Sequence, residues 1–119
     1  MTKITTALII LVALLHFYFM ILEMFFWTKP MGIRTFGLKK DFAEQSKVLA
    51  ANQGLYNGFL AAGLVWSLIS TYYHIAPFFL ICIILAGAYG AYSTKNKKLF
   101  YVQSLPAIFA LLACFLLQV

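Results

Sequence analysis

Residues 52–63 read NQGLYNGFLAAG, and the fold turns on how this stretch is placed. Two asparagines, a glutamine and a tyrosine sit inside a run, residues 48–72, that is otherwise long and apolar enough for a membrane helix. In a water-soluble domain such amides would mark a solvated face. The surrounding chain argues against that: it is 64% hydrophobic and 10% charged, where soluble domains run near 45–50% and about 25%. The amides therefore need partners inside a bilayer. Asn52 and Tyr56 share one helical face at a spacing of four, and Gln53 and Asn57 share a second. Between these pairs run Gly54, Gly58 and Ala62, a small-residue stripe that admits another helix at close range.

Working outward, four segments have the length of a span: residues 5–28, 48–72, 75–94 and 99–118. They predict an all-α membrane protein, a four-transmembrane-helix antiparallel bundle forming a single domain over residues 1–119. Residues 29–47 become a cytoplasmic loop. The first apolar run, from Ile4 to Trp27, exceeds the roughly 7–15 residues of a signal-peptide core. It ends in the bulky FFW, so it reads as a retained span. The second and third spans are parted only by YYHIAP, residues 72–77. Pro77 disfavours helical geometry at Ala76, and tyrosines beside a histidine suit an interface, so a tight hairpin is predicted. In the 29–47 segment Pro30, Gly32 and Gly37 punctuate a loop, and Asp41 offers an N-cap for a short amphipathic helix carrying Phe42, which either stands alone or runs on into the second span.

Charge sets the orientation. Lys29, Arg34, Lys39, Lys40 and Lys47 lie between the first two spans, and Lys95, Lys97 and Lys98 between the last two. Only Lys3 remains of the nine cations. Eight against one places both basic connections in the cytoplasm and both termini outside, in the plasma or inner membrane. The net charge of +6 is then a rim facing anionic lipid head groups, and no nucleic-acid partner is expected.

The first span holds two polar residues of its own. His16 and Glu23 are seven residues apart and nearly share a face, about 10 Å along the axis, with Trp27 continuing the stripe. A carboxyl within a span costs about 2.5–3.5 kcal/mol and rarely faces lipid. Matching depths in antiparallel neighbours pairs Glu23 with Asn52 and brings His16 nearer Asn57. The candidate ligand-binding set is His16, Glu23, Trp27, Asn52, Gln53, Tyr56 and Asn57. Against it stands the structural alternative, in which the same groups serve only as interhelical hydrogen bonds and Glu23 reaches the head groups. In the last span Pro106 predicts a kink, with a freed carbonyl for Ser104 or a neighbouring helix to satisfy. Cys82 and Cys114 lie in apolar runs and read as small hydrophobes, no metal site is expected, and no catalytic motif or known cofactor signature appears.

LHFYFMILEMFFW, the F-G-L of residues 36–38 and above all NQGLYNGFLAAGL resemble a bacterial and fungal family of small integral membrane proteins known only as domain of unknown function 1304. The resemblance spans nearly the whole chain and implies four membrane helices without an established activity. A looser likeness is to membrane proteins of eicosanoid and glutathione metabolism, which are also small four-helix chains. Lys47 and Asn52 fall in comparable places, but the single arginine, Arg34, lies in the loop, and Leu55 stands where that likeness implies a glutamate. The function expected is the binding of a lipid-like or quinone-like hydrophobic small molecule in a polar-ended intramembrane cavity. The alternatives are a membrane enzyme of that second type and a small proton-coupled transporter using Glu23 and His16. Membrane lipids and further copies of the chain, as a homo-oligomer, are the expected partners.

Overall fold

The computed structural model describes residues 2–70 and 74–117, which form five helices and no strand. These are α1 (Lys3–Phe25), α2 (Pro30–Phe36), α3 (Lys40–Ile69), α4 (Ile75–Thr94) and α5 (Lys97–Leu116). Three of them, α1, α4 and α5, are long and apolar enough to cross a membrane. The 30-residue α3 does not reach that mark by composition. Its first turns carry Lys40, Asp41, Glu44 and Lys47, and Asn52, Gln53 and Asn57 interrupt the apolar remainder. The polar block thus sets α3 apart from the other long helices.

The chain divides into two compact units, Leu14–Ala61 and the pair of segments Met1–Ala13 and Ala62–Val119. In the Leu14–Ala61 unit, α1 ends at Phe25. Hydrogen bonds from Phe26 N to Leu22 O and from Lys29 N to Phe26 O close a turn. Pro30 then opens α2 from the first helical position, where a missing N–H costs nothing. The residues read as loop punctuation are helical parts. Gly32 lies buried within α2, where a β-carbon would meet the carbonyl oxygen of Phe26. Gly37 ends the helix at φ +64, a left-handed position that favours glycine, and the N–H of Leu38 closes back on Ile33 O at 3.0 Å. Asp41 is not the N-cap expected of it. Helix α3 already begins at Lys40, which leaves Asp41 as an acidic group in the first turn, where the helix dipole favours it.

In the other unit, Thr2 caps α1 by accepting the N–H of Thr5, and Thr5 Oγ1 donates to Ala113 O on α5 at 3.3 Å. Helices α4 and α5 form a hairpin through Lys95, at φ 57, and Asn96, whose side chain accepts the N–H of Lys98. Small residues at their contact, Gly87 on α4 and Ser104, Ala107 and Ala110 on α5, are buried. Contrary to the reading of Pro77 as a helix breaker, Ala76 is already helical and buried. Pro77 sits in the first turn, where its absent N–H has no intrahelical acceptor to lose. Tyr72 and Tyr73 of the expected hairpin lie outside the described residues.

Pro106 is accommodated by a π-helical segment, Phe100–Ser104, inside α5. There the N–H of Leu105 reaches Phe100 O, five residues back. Ser104 Oγ turns away from its own helix and donates to Ile84 O on α4 at 2.9 Å.

Candidate functional site

Within the Leu14–Ala61 unit the small-residue stripe of α3 faces α1. A β-carbon on Gly54 would stand 2.8 Å from Met24 Cγ, 3.0 Å from Glu23 Cβ and 3.1 Å from Met20 O, and one on Gly58 would stand 2.6 Å from Met20 Sδ. The two glycines therefore bring the backbones close. That approach carries Asn57, between them in sequence, onto Glu23: Asn57 Nδ2 donates to Glu23 Oε1 at 2.5 Å, with both residues buried. Gln53, one turn earlier on the same face, is a second hydrogen-bonding neighbour of that carboxyl.

The register differs from the pairing read off depth. Glu23 meets Asn57, and Asn52 is an exposed residue. Helix α1 stops at Phe25, short of the residue 28 that matching depths require, and where α3 crosses it is fixed by the glycine seats.

Beyond Glu23 the chain builds a clamp. Trp27 Nε1 donates to Ser46 Oγ at 3.0 Å, and Ser46 Oγ in turn donates to Phe42 O at 2.7 Å. The Trp27 indole also packs on Phe36 of α2, with ring centroids 5.0 Å apart. Trp27 so ties the turn after α1 to both α2 and α3. Ser46 was not singled out in the sequence, although a tryptophan indole needs a partner for its N–H where it is buried, and that signal was available.

Between carboxyl and clamp lies an open cleft of about 400 Å³ whose walls include Glu23, Met24, Trp27, Lys47, Ala51 and Asn52. Lys47 also reaches Glu44 at 3.3 Å in an exposed ion pair, a contact too solvated to hold it firmly. Of the candidate residues, Glu23, Trp27 and Asn52 line this cleft, and Asn57 and Gln53 attach through the carboxyl. Tyr56 is exposed beside Phe59, its ring 6.0 Å away, and does not belong to the cleft. His16 is fully buried with its ring edge-on to Phe19 at 5.3 Å, two turns of α1 from Glu23 and not in the cleft wall. Among the described residues, no group of three His, Cys, Asp or Glu side chains gathers to hold a metal.

The buried glycine of α2 gives a test of this local architecture. Gly32→Ala would push a methyl onto the Phe26 carbonyl, a backbone atom that cannot swing aside. Overpacking of this kind costs typically 1–3 kcal/mol. We expect the variant to melt earlier in detergent and to lose the protection of Trp27 from quenchers, whereas Gly90→Ala, whose β-carbon would meet only Leu99 Cδ1 at 3.7 Å, is expected to be tolerated.

Comparison with known proteins returns a profile described as "Protein of unknown function (DUF1304)", which matches residues 10–115. The chain is 40% identical over 119 residues to "Uncharacterized protein YpaA" of Lactococcus lactis subsp. lactis (strain IL1403), covering 97% of this chain and 99% of that one. No solved structure gives a significant match.

Proposed function

We propose, for a chain that belongs to the DUF1304 family of proteins of unknown function, that it binds a hydrophobic small molecule with a hydrogen-bonding head, lipid-like or quinone-like, in the cleft beside Glu23. The observation that carries this reading is the position of the carboxyl. Glu23 is buried, fixed by Asn57, and still part of the cleft wall. A buried polar group held rigidly in the wall of a recess, with apolar side chains beside it, is how small-molecule sites orient a ligand. A ligand hydroxyl or N–H would take the place at the carboxyl that the exposed Gln53 side chain now occupies, while Met24, Ala51 and Trp27 receive its apolar part.

The setting of this reading is a membrane bundle of four antiparallel spans, with α3 as the fourth. At about 1.5 Å per residue α3 is about 45 Å long, more than the ~30 Å hydrocarbon layer needs. Its charged first turns can therefore lie in the cytoplasmic head groups while the remainder spans. Large side chains such as Leu14, Phe25, Phe59, Phe78, Leu85 and Phe115 are exposed, whereas His16, Glu23, Asn57, Ser67 and Ser104 are buried. Polar groups held inside a surface of large apolar side chains support lipid as the solvent. The basic segments then face the cytoplasm and the termini the outside. Single cysteines placed at Lys39 and Lys97, with Cys82 and Cys114 replaced, are expected to react with an impermeant maleimide only after the cells are opened. Labelling of both from outside intact cells would reverse the orientation.

The binding reading is tested by filling the cleft without touching its carboxyl. The natural chain is expected to carry a small molecule through purification, and Ala51→Trp to leave the melting temperature of the ligand-free protein within a few degrees while abolishing that retention, measured by extraction and mass spectrometry. Full retention of that molecule by the variant would place it elsewhere.

One observation favours a second reading. Lys47 and Asn52 both line the cleft, as required of an enzyme that accepts a cytoplasmic thiol such as glutathione beside a hydrophobic substrate. Incubation with glutathione and a lipophilic electrophile separates the two: conjugate formed above the uncatalysed rate, and lost in Lys47→Ala, would favour the enzyme.

A further inference from the structure

The other unit holds a second cleft, of about 420 Å³, at the turn between α4 and α5. It is lined by Ala88 and Ala91, by the rings of Tyr92, Phe100 and Tyr101, and by Lys95 and Lys97. The local structure explains each part. Alanines at a spacing of three leave a shallow trough on α4. The π-segment sets Phe100 and Tyr101 side by side, with centroids 6.1 Å apart and planes at 80°. The left-handed Lys95 and the Asn96 cap turn the chain so that two cations follow one another at the mouth.

We propose that this cleft is a binding site for an anionic phospholipid, its phosphate held by Lys95 and Lys97 and one acyl chain lying over Ala88 and Ala91. The charge inventory argues for an anion from outside this unit. The sequence has three acidic residues, Glu23, Asp41 and Glu44, and all of them fall in the Leu14–Ala61 unit. Lys95, Lys97 and Lys98 thus have no acidic side chain in their own unit. The lining argues for a lipid. Aromatic rings and alanines form the walls, and α4 and α5, whose ends frame the cleft, are both long and apolar enough to span a bilayer. A cation close to an anionic lipid surface strengthens binding by on the order of fivefold, and two at one phosphate also fix its position. The exposed tyrosines Tyr92 and Tyr101 can add hydroxyl donors to the same group. This site rests on the membrane setting proposed above and is independent of the cleft beside Glu23.

The test reconstitutes the full chain in vesicles of equal phosphatidylglycerol and phosphatidylcholine and reads the retained lipid by native mass spectrometry. The natural chain is compared with a Lys95→Asn, Lys97→Gln double variant and with Lys39→Gln, Lys40→Gln, which removes the same charge from the other unit. Asparagine is chosen at Lys95 because it tolerates the left-handed backbone. Phosphatidylglycerol is expected to be retained selectively by the natural chain and by the Lys39/Lys40 variant, and its preference to fall about tenfold or more in the Lys95/Lys97 variant. Equal losses in both variants would reduce the effect to diffuse surface charge and overturn the site. Occupation by inorganic phosphate in detergent, as strong as by the lipid, would overturn it too, as would capture of RNA in place of lipid. Failure to co-float with vesicles of any composition would overturn the membrane reading and this site with it, whereas flotation without lipid preference would overturn this site alone.

Discussion

Gly54→Leu is expected to abolish the folded Leu14–Ala61 unit. Even the first carbon of the new side chain would stand 2.8 Å from Met24 Cγ, 3.0 Å from Glu23 Cβ and 3.1 Å from Met20 O. The methionine can bend away, but the Met20 carbonyl belongs to α1 itself, so the helices would have to separate. Separation would break the Asn57 to Glu23 hydrogen bond and leave two buried polar groups without partners, at roughly 1–3 kcal/mol each. Added to an overpacking cost of about 1–3 kcal/mol, the loss approaches the whole stability of a small domain. Very low recovery from the membrane, with protease-sensitive α3, is the expected result. Normal yield and melting would mean that the glycine stripe does not seat α1.

The second large effect separates binding from folding. Asn57→Ala removes one of the two amides on the buried carboxyl, and a loss of about 1–3 kcal/mol is expected in denaturant titrations in detergent. Glu23→Gln keeps the size of the side chain and an oxygen to accept from Asn57 Nδ2. Its stability should stay within about 1 kcal/mol of the natural chain, because the interhelical hydrogen bond survives. Ligand retention is nonetheless expected to drop at least about tenfold, since the carboxyl oxygen that receives the ligand's donor is replaced by an amide NH2; a donor left without its acceptor costs about 1–3 kcal/mol. If the two variants instead lose stability and ligand in parallel, the carboxyl and amides are interhelical fastenings with no ligand to hold.

The long apolar helices were legible because their composition leaves few other folds. The runs that became α1, α4 and α5 contain little besides aliphatic and aromatic residues, and a backbone in lipid must satisfy its own hydrogen bonds, which a helix does. Helix α2 was not legible. Pro30 and Gly32 carry the local signature of a loop, and both belong to a helix for reasons outside that signature: Pro30 stands at a first helical position, and Gly32 is needed where the chain passes the Phe26 carbonyl.

The candidate site was half legible. The spacing of Gly54, Asn57 and Gly58 fixes which face of α3 approaches a neighbour, and the rarity of a carboxyl in an apolar run marks Glu23. Which amide meets the carboxyl depends on where α1 ends and on how far α3 slides along Met20 and Met24, and no local pattern encodes a slide of one turn. Ser46 escaped for the same reason. Its role exists only because Trp27 and Phe42 are brought to it by tertiary packing.

The central claim is that the cleft beside Glu23 holds a small molecule through that carboxyl. Native mass spectrometry of the gently purified chain and of its Glu23→Gln variant, side by side, tests it most directly. A discrete apolar molecule bearing a hydroxyl or N–H head is expected on the natural chain, and a folded variant from which it is absent. An empty natural chain, or a molecule retained equally by both, would contradict it.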